Sequence, residues 1–209
     1  MSILDEMKQS LIDGNHKTTG ELSEKALADG IGAQEILDGG LLAGMEVIGT
    51  RFRNHDIFLP DVLLAARAMY AGLDIIKPHL AGGEASNRGA VVIGSVEGDL
   101  HDIGKNLVGI LLNGAGFKVI DLGNNVSPAK FIEAAKEHDA MVVGMSALLT
   151  TTMPMMGKVI AGLKEAGLTS VKTIIGGAPV SEKFASDIGA DAYGYDAAKA
   201  SAILQEWAS

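Results

Sequence analysis

The chain has 209 residues, a formal net charge of −9 at pH 7, 27 glycines and no cysteine. An acidic chain with scattered basic residues lacks the cationic surface that nucleic-acid binding requires, and the absence of cysteine excludes disulfides, thiolate metal sites and a cysteine nucleophile. No apolar run reaches the about 18 residues that a membrane span needs, and the first residues lack the apolar core of a signal peptide. We therefore expect a globular, cytoplasmic protein.

The apolar residues of roughly the first 80 positions recur with a helical period and predict four helices. The second helix is predicted to begin at a capping box of Thr18 and Glu21. The third is predicted over residues 33–53, and the fourth has Pro60 in its first turn. The side chains of the fourth helix that are predicted to face inward are Leu63, Ala66, Leu73 and Ile76.

A small, polar, glycine-containing stretch over residues 81–90 predicts a linker. After it, short apolar runs alternate with amphipathic stretches, which predicts a parallel sheet covered by helices on both faces. The predicted strands are 90–96, 117–123, 140–146, 171–177 and 191–195, and the predicted helices are near 103–115, 127–138, 153–166, 181–188 and 196–207. We expect a four-helix bundle over residues 1–85, which is all-α, followed by an α/β domain over 90–209 with a flavodoxin-like or Rossmann-like five-stranded sheet.

The segment EGDLHDIGKN, residues 97–106, follows the first predicted strand, where sheets of this kind bind ligands. It is not a phosphate-binding P-loop, because Gly98 and Gly104 are one residue too far apart. One interpretation is that His101 and Asp102 only cap the following helix, since acidic residues are common at helix starts.

The other interpretation is a metal site. Asp99 lies two residues before His101 and can hold one ring nitrogen, which leaves the other nitrogen for a metal. Gly104 lets a bulky ligand lie close to the backbone. The other four histidines are spread along the chain, so the metal must bring most of its own ligands. A corrinoid meets this condition, because its macrocycle supplies four nitrogens to cobalt.

Three short motifs, each just after a predicted strand, resemble the cobalamin-binding signature D-x-H-x-x-G / S-x-L / G-G. They are Asp99-x-His101-x-x-Gly104, Ser146-x-Leu148 and Gly176-Gly177. In the helical half, MEVIGTRFRNHDIFLPDVLLAARAM (45–69) resembles the helical cap of methionine synthase and of small corrinoid methyl carriers. Over nearly its whole length the chain is similar to the corrinoid proteins of anaerobic methyltransferase systems.

The resemblance implies that cobalamin or a related corrinoid binds base-off, with His101 replacing dimethylbenzimidazole as the lower cobalt ligand. Asp99 would hold the His101 ring, and Thr152 stands where the family has the serine hydroxyl that completes this relay. The positions that match the family's other contacts are Gly94, Gly144, Gly176 and Gly177 for a slot that takes the nucleotide tail, Ser146 and Thr150 for polar contacts to the tail, and Gly98, Leu100 and Asp102 for the ring edge. Without the resemblance, the glycines also fit tight helix–sheet packing and the hydroxyls also fit ordinary turns.

Phe52, Leu59 and Val62 match the cap residues that cover the methyl-bearing upper face of the corrinoid. A cover there would exclude water from a reactive cobalt centre. Their spacing equally suits the core of a four-helix bundle, so both interpretations stay open.

The implied function is that of a corrinoid carrier that is not a complete enzyme by itself. A substrate-specific methyltransferase would place a methyl group on Co(I), and a second methyltransferase would take it from methyl-Co(III) to an acceptor such as tetrahydrofolate or a thiol. A reductive activase is a further implied partner, whereas nucleic acid and membrane are not.

Three other protein classes use related units. A cobalamin-sensing regulator would need a DNA-binding domain, for which the chain has neither the charge nor the length. The corrinoid domain of an adenosylcobalamin mutase should lack Phe58-Leu59-Pro60. A receiver-like signalling domain would leave the three-part signature unexplained.

Overall fold

The computed structural model describes residues 2–79 and 88–208, which form two compact units. The first is helical and the second is built on a parallel sheet. Most of the predicted linker, residues 81–87, lies outside the described residues, and Ala90 at its end is already the first residue of a strand. Among the described helices, none has the length and apolar character that a membrane crossing requires.

The helical unit contains five α-helices within residues 2–79. They are α1 (Ile3–Ile12), α2 (His16–Ala28), α3 (Ala33–Ile36), α4 (Ala43–Arg53) and α5 (Leu59–Ile76). A π-helix, Leu37–Leu42, connects α3 to α4. The third predicted helix therefore exists as one continuous helical stretch with a wider turn in its middle. At Gly40 in this turn a Cβ would lie only 2.6 Å from the Sδ atom of Met7 on α1, so the two segments pack closely.

Side-chain caps decide where two of these helices begin. Ser2 and Asp5 form a capping box at α1, because each side chain accepts a hydrogen bond from the other residue's backbone N–H. The predicted capping box at Thr18 is wrong. Helix α2 begins two residues earlier, and the Asn15 side chain accepts a hydrogen bond from the Thr18 N–H at 3.2 Å. Asparagine is among the strongest N-cap residues, so the earlier start is favoured.

The buried face of α5 differs slightly from the predicted one. Leu63 was expected to face inward, but 48% of its surface is exposed. Ala66 and Ile76 are buried as expected, and the buried row that contains them also includes Val62 and Met69, which keeps a helical period.

The second unit confirms the predicted parallel sheet of five strands with intervening helices. The strands are β1 (Ala90–Ser95), β2 (Lys118–Asp121), β3 (Val142–Ser146), β4 (Lys172–Gly176) and β5 (Ala192–Gly194), and the helices are α6 (Ile103–Gly114), α7 (Pro128–Glu137), α8 (Pro154–Glu165), α9 (Glu182–Ile188) and α10 (Ala197–Trp207). All pairings are parallel in the order β2-β1-β3-β4-β5, which is the flavodoxin-like order.

The strand register aligns residues across this sheet in rows, and successive rows place their side chains on opposite faces. Ile93, Gly144 and Ile174 are paired neighbours on β1, β3 and β4 and share one face. Gly94, Met145 and Ile175, one residue later, share the opposite face. On that opposite face the side chains of α7 and α8 complete an apolar core, which includes Phe131, Met156, Val159, Ile160 and Leu163.

Strand β1 lies between β2 and β3, so the chain leaves β1 towards one side of the sheet and leaves β3 towards the other. This is a topological switch point, where the loops after the two strands diverge and leave a crevice at their carboxyl ends. The segment 97–106 follows β1, and Ser146 ends β3. The fold therefore brings the first two predicted motifs to the same crevice.

Candidate functional site

The loop after β1 holds His101 against the carboxylate of Asp99. The Oδ1 atom of Asp99 lies 2.9 Å from the Nδ1 atom of the His101 ring and also accepts a hydrogen bond from the His101 backbone N–H at 3.0 Å. Asp99 has no exposed surface, whereas 52% of the His101 side chain is exposed. The carboxylate therefore fixes Nδ1 and leaves Nε2 as the ring nitrogen that a metal can take.

The second oxygen of Asp99 joins this loop to the loop after β3. Its Oδ2 atom accepts hydrogen bonds from the backbone N–H groups of Leu148 at 2.7 Å and Leu149 at 3.2 Å, and from the Thr152 hydroxyl at 2.8 Å. The Thr152 hydroxyl is also 2.8 Å from the Leu149 carbonyl, so its single proton has two acceptors. The structure thus brings Asp99, His101, Leu148 and Thr152 into one hydrogen-bonded group.

These contacts keep the Asp99 carboxyl ionised. Burial by itself would raise the pKa of Asp99. The hydrogen bonds donated by the backbone of Leu148 and His101, by the His101 ring and by the Thr152 hydroxyl outweigh that effect and hold the pKa of Asp99 well below its usual range. A permanently charged acceptor beside Nδ1 strengthens the electron donation of the opposite nitrogen to a metal.

A cavity of about 310 Å³ lies in the sheet unit between the carboxyl ends of the strands, α6 and α10. Five of the predicted positions line this one space: Gly104, Gly144, Ser146, Gly176 and Gly177. At Gly177, φ is +122° and a Cβ would collide with the Ala147 carbonyl oxygen, which makes glycine obligatory there.

The two further glycines predicted for the slot have different surroundings. Gly144 lines the cavity, where a Cβ would lie 3.2 Å from Ile93. Gly94 does not: a Cβ there would lie 2.7 Å from the ring of Phe131. The expectation for Gly94 is therefore wrong, because its side of the sheet is filled by helix α7.

The remaining predicted positions in this unit are not among the residues that line the cavity. Gly98 has a φ of +85°, and its N–H donates to the Asn125 side chain at 2.8 Å. Leu100 is 68% exposed, and the Asp102 carbonyl accepts the first backbone hydrogen bond of α6, from Asn106 at 2.8 Å. Thr150 is exposed and lies outside the residues that line the cavity.

Sequence reasoning missed several residues that hold the His101 loop. The buried Ser95 hydroxyl donates to the His101 carbonyl at 2.6 Å, and the Asn125 N–H donates to the Asp99 carbonyl at 2.9 Å. Lys105, which is almost fully buried, donates to both carboxylate oxygens of Asp121 at the end of β2. A polar residue at the last position of a buried strand was the available signal for Ser95.

The three predicted cap residues lie in the helical unit. Phe52 near the end of α4 and Leu59 at the start of α5 are partly exposed, whereas Val62 has no exposed surface. Phe52 and Leu59 are therefore the two of these residues that have exposed apolar surface.

A buried aspartate that fixes one histidine nitrogen, beside a cavity at the switch point of the sheet, fits a corrinoid-binding unit. The family comparisons agree with this assignment. A B12 binding domain matches residues 89–203, and a second B12 binding domain matches residues 3–77. The chain belongs to the family of B12-binding corrinoid proteins.

Relatives with this architecture come from bacteria and archaea. A corrinoid protein of Desulfitobacterium hafniense is 44% identical over 197 residues, which cover 92% of this chain and 91% of the relative. Trimethylamine corrinoid protein 1 of Methanosarcina acetivorans is 44% identical over 198 residues, 93% of this chain and 92% of that protein.

One solved structure extends the comparison to a complex. In the methanol:cobalamin methyltransferase complex from Methanosarcina barkeri, a chain with 30% identity matches with a TM-score of 0.92, covering 99% of this chain and 79% of that one.

Proposed function

We propose that this protein is a corrinoid-binding methyl carrier that works between two methyltransferases. His101 is the lower axial ligand in this proposal, and the corrinoid binds base-off. When bound, the corrinoid supplies a cobalt that accepts a methyl group from one methyltransferase and gives it to another. The chain's own residues bind the group, orient it and shield it.

The observation that carries the proposal is the geometry of His101. Its Nδ1 atom is engaged by an ionised carboxylate, and 52% of the His101 side chain is exposed. Large apolar side chains are exposed around it, which is the surface that the flat face of a macrocycle would cover. They are Leu100, Ile103, Leu148 and Leu149. One nitrogen ligand is sufficient for a metal whose four other donors belong to the macrocycle.

The cavity supports base-off binding. A corrinoid that gives up its own lower base must place its nucleotide tail elsewhere, and the cavity of about 310 Å³ opens beside the His101 loop. Ile93, Gly144 and Ile174 are among its lining residues, and Ser146 lines it two residues nearer the carboxyl end of β3. An apolar wall with a hydroxyl beside it suits a tail that carries an aromatic base.

Asp99 and Thr152 adjust how strongly the Nδ1 proton of His101 is hydrogen-bonded. The Nδ1 proton of His101 is shared with Asp99, and the Thr152 proton can turn between Asp99 and the Leu149 carbonyl. When Thr152 donates to Asp99, the carboxylate becomes a weaker hydrogen-bond acceptor for the Nδ1 proton. The imidazole ring then carries less negative charge, so Nε2 donates electrons to a metal less strongly. The added methyl group of threonine leaves the hydroxyl in place for this role.

The helical unit would form the cover of the upper face. In this proposal residues 1–85 are the cap domain, residues 90–209 bind the corrinoid, and the linker 81–90 lets the cap move aside when a methyltransferase docks. Phe52 and Leu59, which are partly exposed, supply the apolar cover in this proposal, whereas the fully buried Val62 belongs to the core of the helical unit. The names of the relatives support a methylated amine or methanol as the methyl source. We further propose tetrahydrofolate or a thiol as the acceptor, a reductive activase as a partner and the cytoplasm as the location.

The test uses the purified full chain reconstituted with hydroxocobalamin and reduced to the cobalt(II) form. An axial nitrogen splits the cobalt resonance lines in the electron paramagnetic resonance spectrum, so the ligand is observed directly. We expect nitrogen splitting in the parent protein, its loss in His101→Ala, and its retention in His138→Ala, which removes another histidine of the same unit. Identical spectra for His101→Ala and the parent would contradict the ligand assignment and with it the proposal.

A further inference from the structure

The residue that carries the proposed cobalt ligand is held at three points. Asp99 provides two of them, the bonds to the His101 backbone N–H and to its ring, and both bonds end on the same atom, Oδ1. Two bonds to one atom leave the residue free to pivot about that atom. A third contact, on the opposite side of the residue, is needed to prevent the pivot.

Ser95 makes the third contact. Its Oγ donates to the His101 carbonyl oxygen at 2.6 Å, and Ser95 has no exposed surface. No backbone N–H within residues 2–79 and 88–208 donates to this carbonyl, so the serine hydroxyl is the donor on which it depends.

The support behind Ser95 is rigid. It is the last residue of β1 and pairs with Ser146 of β3. On the other side, its N–H donates to the Gly123 carbonyl at 3.0 Å and its carbonyl accepts from the Val126 N–H at 3.0 Å. The backbone that carries the hydroxyl is therefore supported on the β3 side and on the side of residues 123–126. Ser95 lies six residues before the histidine that it holds.

We propose that Ser95 is a positioning residue for the axial ligand: by holding the His101 carbonyl, its hydroxyl sets the distance at which the ring presents Nε2 to cobalt. This inference rests on the proposed function. Without the hydroxyl, the His101 loop pivots on Asp99, and the ring spends a larger share of time away from the metal. Asp99, Thr152 and the cavity are unchanged, so corrinoid binding through the tail continues.

The variants are Ser95→Ala, which removes the hydroxyl, and Ser95→Thr, which keeps it. Ser23→Ala is a matched control, because Ser23 is also fully buried and its Oγ donates to a backbone carbonyl, that of Thr19 at 2.9 Å, in the helical unit. Two measurements are made. The first is the fraction of cobalt(II) cobalamin with axial nitrogen splitting in the loaded protein, and the second is amide hydrogen exchange over residues 97–102 in the protein without corrinoid.

For Ser95→Ala we expect the ratio of histidine-off to histidine-on cobalt(II) to rise about fivefold, the effect of one ordinary hydrogen bond. Exchange over residues 97–102 rises by a similar factor, while exchange in β1 and β3 stays unchanged. Ser95→Thr and Ser23→Ala match the parent in both measurements.

If Ser95→Ala matches the parent in ligation and in exchange while His101→Ala loses the nitrogen splitting, the inference is overturned and the proposed function stands. If the parent itself shows no nitrogen splitting, both fall.

Discussion

On the face of the sheet that carries α7 and α8, the missing side chain of Gly94 is replaced by the ring of Phe131, whereas on the other face the missing side chain of Gly144 opens onto the cavity. The two glycines lie on neighbouring strands and look alike in the sequence. A glycine in a buried strand therefore indicates that something approaches the backbone closely, but not whether that is a helix or a ligand.

The polarity of the two regions is also reversed. The core under α7 and α8 is built on a cluster of hydrophobic side chains. At the carboxyl edge a charged carboxylate, Asp99, is fully buried, while Leu100 and Ile103 are 68% and 76% exposed. The first region resembles an ordinary protein interior, whereas the second combines a buried charge with exposed apolar side chains. Packing thus supplies stability on one face, and hydrogen bonds supply a shaped binding site at the edge.

The largest expected effect tests the packed face. Phe131→Ala removes a ring with no exposed surface and leaves a cavity over Gly94, which should lower the free energy of unfolding by about 3–5 kcal/mol. Urea unfolding is followed by the fluorescence of Trp207, the single tryptophan, which lies in the sheet unit. Ile103→Ala is the control, because Ile103 lies at the carboxyl edge of the same unit, is 76% exposed and should change stability by less than about 0.5 kcal/mol. Equal effects of the two changes would remove the contrast between the packed face and the polar edge.

The second prediction tests the polar edge through its pH dependence. Asp99→Asn should lower the free energy of unfolding by about 1–3 kcal/mol at neutral pH, since an amide cannot accept from all of the donors around it. The folded state lowers the pKa of Asp99, so its stabilising contribution is full above the unfolded value of about 3.9 and is lost as pH falls below it. The difference between parent and Asp99→Asn should therefore be present at pH 5 and shrink below about pH 4. A difference that stays constant into acid would show that the charge of Asp99 does not contribute.

A matched pair of methyl insertions compares the two faces directly, and its Gly144 member should have the smallest effect on stability. Gly94→Ala places a Cβ 2.7 Å from the Phe131 ring and should cost about 1–3 kcal/mol. At Gly144→Ala the nearest side-chain atom, on Ile93, is 3.2 Å away and can move towards the cavity, so the cost should be lower than at Gly94.

On ligand binding, Gly144→Ala should have the larger effect of the two variants, because only Gly144 lines the cavity. Gly144→Ala should weaken the binding of cobalamin at least about tenfold and leave the binding of cobinamide, which lacks the nucleotide tail, unchanged. Equal cobalamin binding by Gly144→Ala and the parent would mean that the tail does not enter this cavity.

Much of the architecture could be predicted from local sequence. Continuous apolar strands between amphipathic helices predict a parallel sheet, because only a sheet covered on both faces buries such strands, and the structure confirms it. The motif Asp99-x-His101 was also readable, since its two side chains lie two residues apart in one loop. Helix boundaries were less accurate, because the Asn15 cap and the π-helix at Leu37–Leu42 depend on competition among neighbouring residues and on packing against α1.

The sequence by itself determined the elements, their order and the histidine with its aspartate, because these follow from periodicity and from contacts between near neighbours. The tertiary structure alone decided which glycines face a helix and which face a cavity, and that Ser95 holds the His101 carbonyl. It also joined Asp99 to Leu148 and Thr152, which are 49 and 53 residues away. The physical reason is strand order: β1 and β3 are neighbours at the switch point, so their loops meet only after the sheet has formed.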